Sequence, residues 1–252
     1  MTRRPEADFT REECRPFLLE GGDHAVLMIH GFSGSIAQLR PVADRLHQHG
    51  YTVRGFNLPG HASRMEDMAC CTWQEWLHTA KAEFAALKER CPNVSVVGHS
   101  MGGVLAMLLA QQMDVAAVVP IAAPTAVQSR LLPFARFASP FVKNIWWPVR
   151  NDGEAKSPYN LGYPGFPTRS AAELNVLIRM ARRNLHAITC PILVVQSRRD
   201  ETIVPESAET ILKGVSSAKK GVMWLVDAPH LCTIGKDVDR IALAACELLA
   251  SV

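Results

Sequence analysis

The stretch Val94-Ser95-Val96-Val97-Gly98-His99-Ser100-Met101-Gly102-Gly103-Val104-Leu105-Ala106-Met107 decides the architecture. A short β-branched run ends in Gly-x-Ser-x-Gly, and an apolar helical pattern starts at once. The spacing predicts a strand, a sharp turn and a helix, with a serine at the bend. Glycine is required at 98 and 102 because a side chain at either would crowd the backbone of so tight a turn. Ser100 Oγ is thereby pushed toward solvent. The N-terminal dipole of the next helix then faces any oxygen that becomes negative beside it.

On either side of this turn, apolar runs alternate with helical patterns. Ala25 to Ile29, Thr52 to Phe56, Val94 to Val97, Ala116 to Val119, Ile192 to Val195 and Val222 to Val226 read as buried parallel strands. Ile36 to His49, Thr72 to Arg90 and Gly102 to Met113 read as helices between them. The alternation implies an α/β layered sheet with right-handed crossovers. One long interruption, 125–186, divides the core into 1–124 and 187–252. It holds eight of the chain's seventeen aromatics, and nine Lys or Arg against three Asp or Glu, so it differs in character from the sheet. An insertion that leaves the sheet and returns is expected to be a cap over the strands' carboxyl ends, where open α/β sheets bind ligands. Extra core packing is the other reading of the same segment.

Composition narrows the function. The chain has 252 residues, a formal net charge of +3, 48 % apolar and 20 % charged residues, enough for one sizeable core and no reason to expect a nucleic-acid partner. No apolar run reaches the roughly 18 residues of a membrane span, so no stable membrane insertion is expected. No apolar stretch with a small-residue cleavage site follows Met1 to Asp8, from which a cytoplasmic location is expected. Seven cysteines, an odd set without Cys-x-x-Cys spacing, argue against a disulfide framework and a zinc cluster; no metal site is expected.

A serine near neutral pH is a weak nucleophile and needs a histidine base oriented by a carboxylate. In a strand–turn–helix serine site these follow in the chain as Ser, Asp or Glu, His. After Ser100 only His186 and His230 remain. His186 ends the insertion's helical pattern and reads as a surface or packing residue, whereas His230 follows the last strand in Asp227-Ala228-Pro229-His230, at the sheet's carboxyl edge. Asp200 likewise follows a strand directly, in Ser197-Arg198-Arg199-Asp200-Glu201. Glu201 is expected to point elsewhere, and Asp227 is too close in sequence to His230 to orient it from the far side. An oxyanion needs two donors: the backbone N–H of Met101, and one from His30-Gly31-Phe32-Ser33-Gly34, where Phe32 is the natural choice. Phe32, Phe134, Phe137, Phe141 and Trp146 are the expected walls of a substrate pocket. His30, His61 and His99 read as structural hydrogen-bonders.

Several segments together carry a resemblance. They are His30-Gly31-Phe32-Ser33-Gly34, Leu58-Pro59-Gly60-His61, Met65-Glu66-Asp67-Met68, Thr72-Trp73-Gln74-Glu75-Trp76, the Ser100 turn and Arg199-Asp200-Glu201-Thr202-Ile203-Val204-Pro205. With them, from Val26 onward, the chain resembles an α/β-hydrolase of the bacterial carboxylesterase and monoacylglycerol lipase group. The resemblance implies the α/β-hydrolase fold with an inserted helical cap, a triad on Ser100, Asp200 and His230, oxyanion donors at Phe32 and Met101, and no cofactor. The stretch Phe134 to Pro148 aligns least well and is bulkier than that group suggests. The expected activity is hydrolysis of a small-molecule ester, with monoacylglycerols or short-to-medium acyl or aryl esters as substrates. A feruloyl-type or thioester hydrolase is an alternative on the same triad, and a non-catalytic receptor on a hydrolase scaffold is another. The basic surplus of the insertion leaves open an anionic substrate or interface, and the oligomeric state is not legible.

Overall fold

The buried strands separate two apolar layers by simple alternation. In the computed structural model, which describes residues 6–129, 134–148 and 156–252, Ala25, Leu27 and Ile29 of one strand enter the core on one face of the sheet. Val26 and Met28 enter the core on the other. Val96 and Val97, Val118 and Val119, and Val194 and Val195 divide in the same way, one residue to each layer. Strands buried on both faces read as continuous apolar runs, and that is why they were conspicuous in the sequence.

The strands in chain order are β1 (Phe17–Leu19), β2 (His24–Ile29), β3 (Thr52–Phe56), β4 (Asn93–His99), β5 (Val118–Ile121), β8 (Ile192–Ser197) and β9 (Lys220–Leu225), with β6 and β7 in the insertion. They form one sheet in the order β1-β3-β2-β4-β5-β8-β9, antiparallel only between β1 and β3. The short antiparallel β1 has no clear sequence signature. β5 runs to Ile121 although Pro120 lies within it, and Pro120 stands beside Gly98 in the ladder. The sequence reading ended this strand at Val119; Pro120 donates no ladder hydrogen bond, yet the strand continues through it to Ile121.

Helix α1 (Arg40–Gln48) packs with α8 (Val238–Leu249) on one face of the sheet. α2 (Met65–Cys70), α3 (Trp73–Lys88) and α4 (Met101–Gln112) lie on the other face, where Met68, Trp76, Phe84 and the α4 side chains share one core. Thr72 caps α3 by a reciprocal pair: its hydroxyl accepts the Glu75 N–H, and the Glu75 carboxylate accepts the Thr72 N–H at 2.8 Å. α4 is apolar on all sides and buried from Met101 to Ala110, as a helix enclosed by the molecule must be.

The 125–186 segment contains two kinds of structure. α5 (Ala135–Ala138) and the hairpin of β6 (Asn144–Trp146) with β7 (Gly165–Pro167) are largely exposed on their first limb. α6 (Thr168–Arg183) is different, because its stripe of Leu174, Leu177, Ile178 and Ala181 is buried in the same core as α4. Gln111 of α4 donates to the Ala181 carbonyl at 2.8 Å, and the Trp73 N–H donates to Glu173 at 3.1 Å. The helical half of the insertion is therefore core packing, the second of the two readings open at the sequence level. α7 (Glu206–Gly214) completes the molecule beside β8 and β9. No helix among the described residues is long and apolar enough to cross a membrane.

Candidate active site

Ser100 joins β4 to α4 with φ 53° and ψ −117°, a conformation that costs energy in any residue with a side chain. The bend is held by close packing. A Cβ on Gly98 would run into the Gly102 carbonyl, and one on Gly102 into the carbonyls of Ile29 and His30. Any residue larger than glycine would push α4 away from the end of β2. The Ser100 N–H donates to the Ile121 carbonyl at 2.8 Å, fixing the turn against β5 as well.

His230 and Asp200 come to this serine from loops beyond β9 and β8. His230 Nε2 lies 3.0 Å from Ser100 Oγ, and His230 Nδ1 lies 2.8 Å and 3.0 Å from the two Asp200 oxygens. With a carboxylate on one side, the neutral ring carries its proton on Nδ1. Nε2 then has its lone pair turned to the serine hydroxyl. The Asp200 carboxyl group is wholly buried. Burial opposes its charge, but hydrogen bonds from His230 and from the Ile203 and Thr202 N–H groups outweigh that and hold its pKa below the usual carboxylate value. Those two N–H groups donate to Oδ1 at 2.9 Å each.

The His230 main chain is gripped as well. Its N–H donates to Glu201 at 3.0 Å, and its carbonyl accepts from His99 Nε2 at 2.9 Å and from the Cys232 N–H at 3.0 Å. Glu201 was expected to point elsewhere; the structure turns its carboxylate to the His230 main chain. Asp227 instead pairs with Arg199 at 3.1 Å on the surface. His99 is buried, and burial, with repulsion from a protonated His230 adding to it, lowers its pKa to about 4, so it stays neutral and donates from Nε2. Cys232 is also buried, and desolvation, with the charge on Asp200 adding to it, pushes its thiol up to about 12. It remains a protonated, inaccessible thiol.

The two N–H groups singled out for an oxyanion come from the ends of adjacent strands, since Ile29 of β2 pairs with Gly98 of β4. Met101 opens α4, so its N–H has no carbonyl one turn back to bond. Phe32 lies outside any helix or strand, and its N–H has no acceptor among the described residues. The start of the flanking loop is hydrogen-bonded to its neighbours: Leu58 N–H donates to His30 Nε2 at 3.0 Å, while His30 Nδ1 donates to the Gly31 carbonyl at 2.8 Å.

The expected pocket walls fare unequally. The half-buried Phe32 ring meets Phe166 at 5.4 Å and Trp76 at 6.2 Å between centroids. Phe134, Phe137, Phe141 and Trp146 do not join it; Phe137 and Phe141 are 75 % and 87 % exposed. α5 buries Ala135 and turns Phe137 outward. Beyond β6, successive side chains alternate sides, so that Trp147 and not Trp146 packs on Phe166, at 4.7 Å. Phe166, Tyr163 and Trp147 are the aromatics that sequence reasoning missed, and only the long-range hairpin pairing reveals them. His186 is exposed at the end of the insertion, away from any partner role at the serine.

Arranged this way, the three side chains can pass a proton from the Ser100 hydroxyl to His230, with Asp200 supporting the resulting charge. Among the described residues no group of His, Cys, Asp or Glu is placed to hold a metal ion.

Comparison with known proteins agrees with this architecture. A family model described as serine aminopeptidase, S33, matches residues 22–235. The chain is 31 % identical over 238 residues to a thermostable monoacylglycerol lipase of a Bacillus species, covering 94 % of each chain. It is 29 % identical over 233 residues to a carboxylesterase of Bacillus subtilis, covering 90 % of this chain and 92 % of that one. A solved structure from work on LipS and LipT, two metagenome-derived lipolytic enzymes, superposes with a TM-score of 0.90 at 29 % identity, over 96 % of this chain and 99 % of that chain. A monoacylglycerol lipase of Paleococcus ferrophilus, at 16 % identity and a TM-score of 0.79, shares the fold. With the family model spanning most of its length, the chain belongs to the serine aminopeptidase, S33, family of α/β-hydrolases, and is a serine hydrolase of the carboxylesterase type.

Proposed function

We propose that this hydrolase cleaves carboxylic esters through an acyl-enzyme, with Ser100 as nucleophile, His230 as base and Asp200 as its orienting carboxylate. The observation that carries the reading is the continuous hydrogen-bonded chain from Ser100 Oγ to His230 at 3.0 Å and on to Asp200 at 2.8 Å. In the first half-reaction His230 Nε2 takes the hydroxyl proton as Ser100 Oγ attacks the ester carbonyl carbon. The carbonyl oxygen becomes an alkoxide facing the Phe32 and Met101 N–H groups. His230 returns the proton to the departing alcohol as the tetrahedral centre collapses. Water then attacks the acyl-serine, with His230 again taking and returning the proton. Asp200 stays ionised throughout, favouring the imidazolium that forms twice per cycle.

Monoacylglycerols and short-to-medium acyl or aryl esters are the proposed substrates. The names of the two long-range relatives support this class, as does the aromatic surround of Phe32 with Phe166 and Trp147. The segment before α6 is the proposed cap over this site. Stopped-flow hydrolysis of p-nitrophenyl esters of increasing chain length tests the reading. Ser100→Ala is expected to lose activity by about 10⁴-fold or more. A Ser100→Ala variant that keeps a burst of p-nitrophenol, or a wild-type protein that cleaves aminoacyl amides and no ester, overturns it.

A further inference from the structure

Ser33, directly after Phe32, adopts φ 58°. A serine in this left-handed region is uphill in energy and persists where neighbours hold it. Here both of its polar oxygens are held by the insertion. Its carbonyl accepts the Tyr163 N–H at 2.7 Å, and its hydroxyl oxygen accepts the Trp147 indole N–H at 3.1 Å. Two residues on, the Ser35 hydroxyl donates to the Leu161 carbonyl at 2.7 Å. The Trp147 ring lies against Phe166, and Phe166 lies against Phe32, so the insertion grips the loop on its polar and apolar sides together. Tyr163 extends the grip: its hydroxyl donates to the Gly60 carbonyl at 2.8 Å and accepts the Ser63 N–H at 3.1 Å.

We propose that Trp147 is a positioning residue for the oxyanion loop: its indole N–H pins Ser33 in the left-handed conformation that presents the Phe32 N–H to the reacting carbonyl. The inference rests on the acyl-transfer reading above. It makes the donor pair a joint product of two distant parts of the chain. Met101 is fixed by the α4 terminus and needs nothing more, whereas Phe32 is aimed only while the insertion is docked on Ser33. Trp147 acts through Ser33 and Phe32 and touches no reacting atom.

The test compares wild type with Trp147→Phe, Ser33→Ala and the double variant. Two measurements are made on each: steady-state hydrolysis of p-nitrophenyl acetate, and the rate at which a fluorophosphonate modifies Ser100. Trp147→Phe keeps a ring against Phe166 and removes the donor; Ser33→Ala removes only the acceptor hydroxyl and carries the test should the indole change disturb folding. Each single variant is expected to lower kcat and the modification rate by about 10-fold with KM held within about twofold, the double being no worse than either single. Losses that multiply, as they would if Trp147 merely touched substrate, overturn the proposal. So does a Trp147→Phe protein modified at the wild-type rate, or one changed in KM alone. A wild-type Ser100 that the fluorophosphonate never modifies brings down the acyl-transfer reading itself, and the proposal with it.

Discussion

Asp200 holds its charge in a place without solvent, because four donors converge on it: His230 Nδ1, the N–H groups of Thr202 and Ile203, and, at 3.5 Å, Gln196 Nε2. Replacing it by asparagine keeps the size but offers the ring an amide N–H, which favours the tautomer with the proton on Nε2, facing the serine. Asp200→Asn is therefore expected to reduce kcat by about 10³- to 10⁴-fold while leaving the fold intact, read from steady-state kinetics beside a circular dichroism spectrum. Retention of more than a tenth of wild-type kcat would show that the carboxylate does not set the tautomer. At this scale the sequence was most legible where residues sit directly after strands. Ser100, Asp200 and His230 each follow an apolar run, so local pattern and chain order picked out three side chains that the structure brings within hydrogen-bonding distance of one another. Glu201 and His99 were not legible as partners of His230, because their roles lie in hydrogen bonds to main-chain atoms 29 and 131 residues away. Trp147 beside Trp146 is the sharper case: only strand pairing tells which indole turns inward.

Between the elements, the insertion supplies the clearest contrast. α6 buries Leu177 completely within the core shared with α4, whereas Phe141, in the same insertion, lies almost wholly in solvent. Leu177→Ala is expected to destabilise the protein by about 2–5 kcal/mol, and Phe141→Ser by less than about 0.5 kcal/mol, in urea unfolding. Equal losses for the two would mean that α6 is no more part of the core than the exposed limb. At the start of α3, Thr72→Ala removes one half of the reciprocal cap and should cost about 1 kcal/mol in the same assay. The strands of the sheet were legible because double-sided burial makes them continuous in hydrophobicity. β1 was not, since three residues carry no period, and the helical pattern of α6 was legible while its place in the core was left open by a segment whose aromatic and basic composition also suggested a cap.

The molecule as a whole carries an acid sensitivity. His30, His61 and His99 are buried; desolvation, aided for His30 by His61 and for His99 by His230, lowers their pKa values to about 3, 4 and 4 from 6.5. Two ring nitrogens, His61 Nε2 and His99 Nδ1, have no hydrogen-bond partner among the described residues. Below about pH 6.5 the unfolded chain takes up protons that the fold refuses, so stability is full above that pH and falls as pH drops toward 4. Asp200 adds to the loss below its ordinary value of 3.8, where unfolding again binds a proton. The unfolding free energy from urea titrations should fall by an amount on the order of several kcal/mol between pH 7.5 and 4.5, and His61→Gln should flatten the slope by about one proton. A midpoint independent of pH across that window refutes the account.

The side chains of Phe134, Phe137, Phe141, Val142 and Ile145 are exposed along one short limb. Water shuns such a strip, and Arg136 and Lys143 beside it supply the charge that keeps neighbouring molecules apart at low ionic strength. Concentrated salt removes that repulsion while strengthening the aversion to water, so the purified protein should cling to a phenyl matrix under ammonium sulfate and elute late. Serine at Phe137 and Phe141 together should bring it off early, without touching a single atom of the Ser100 site.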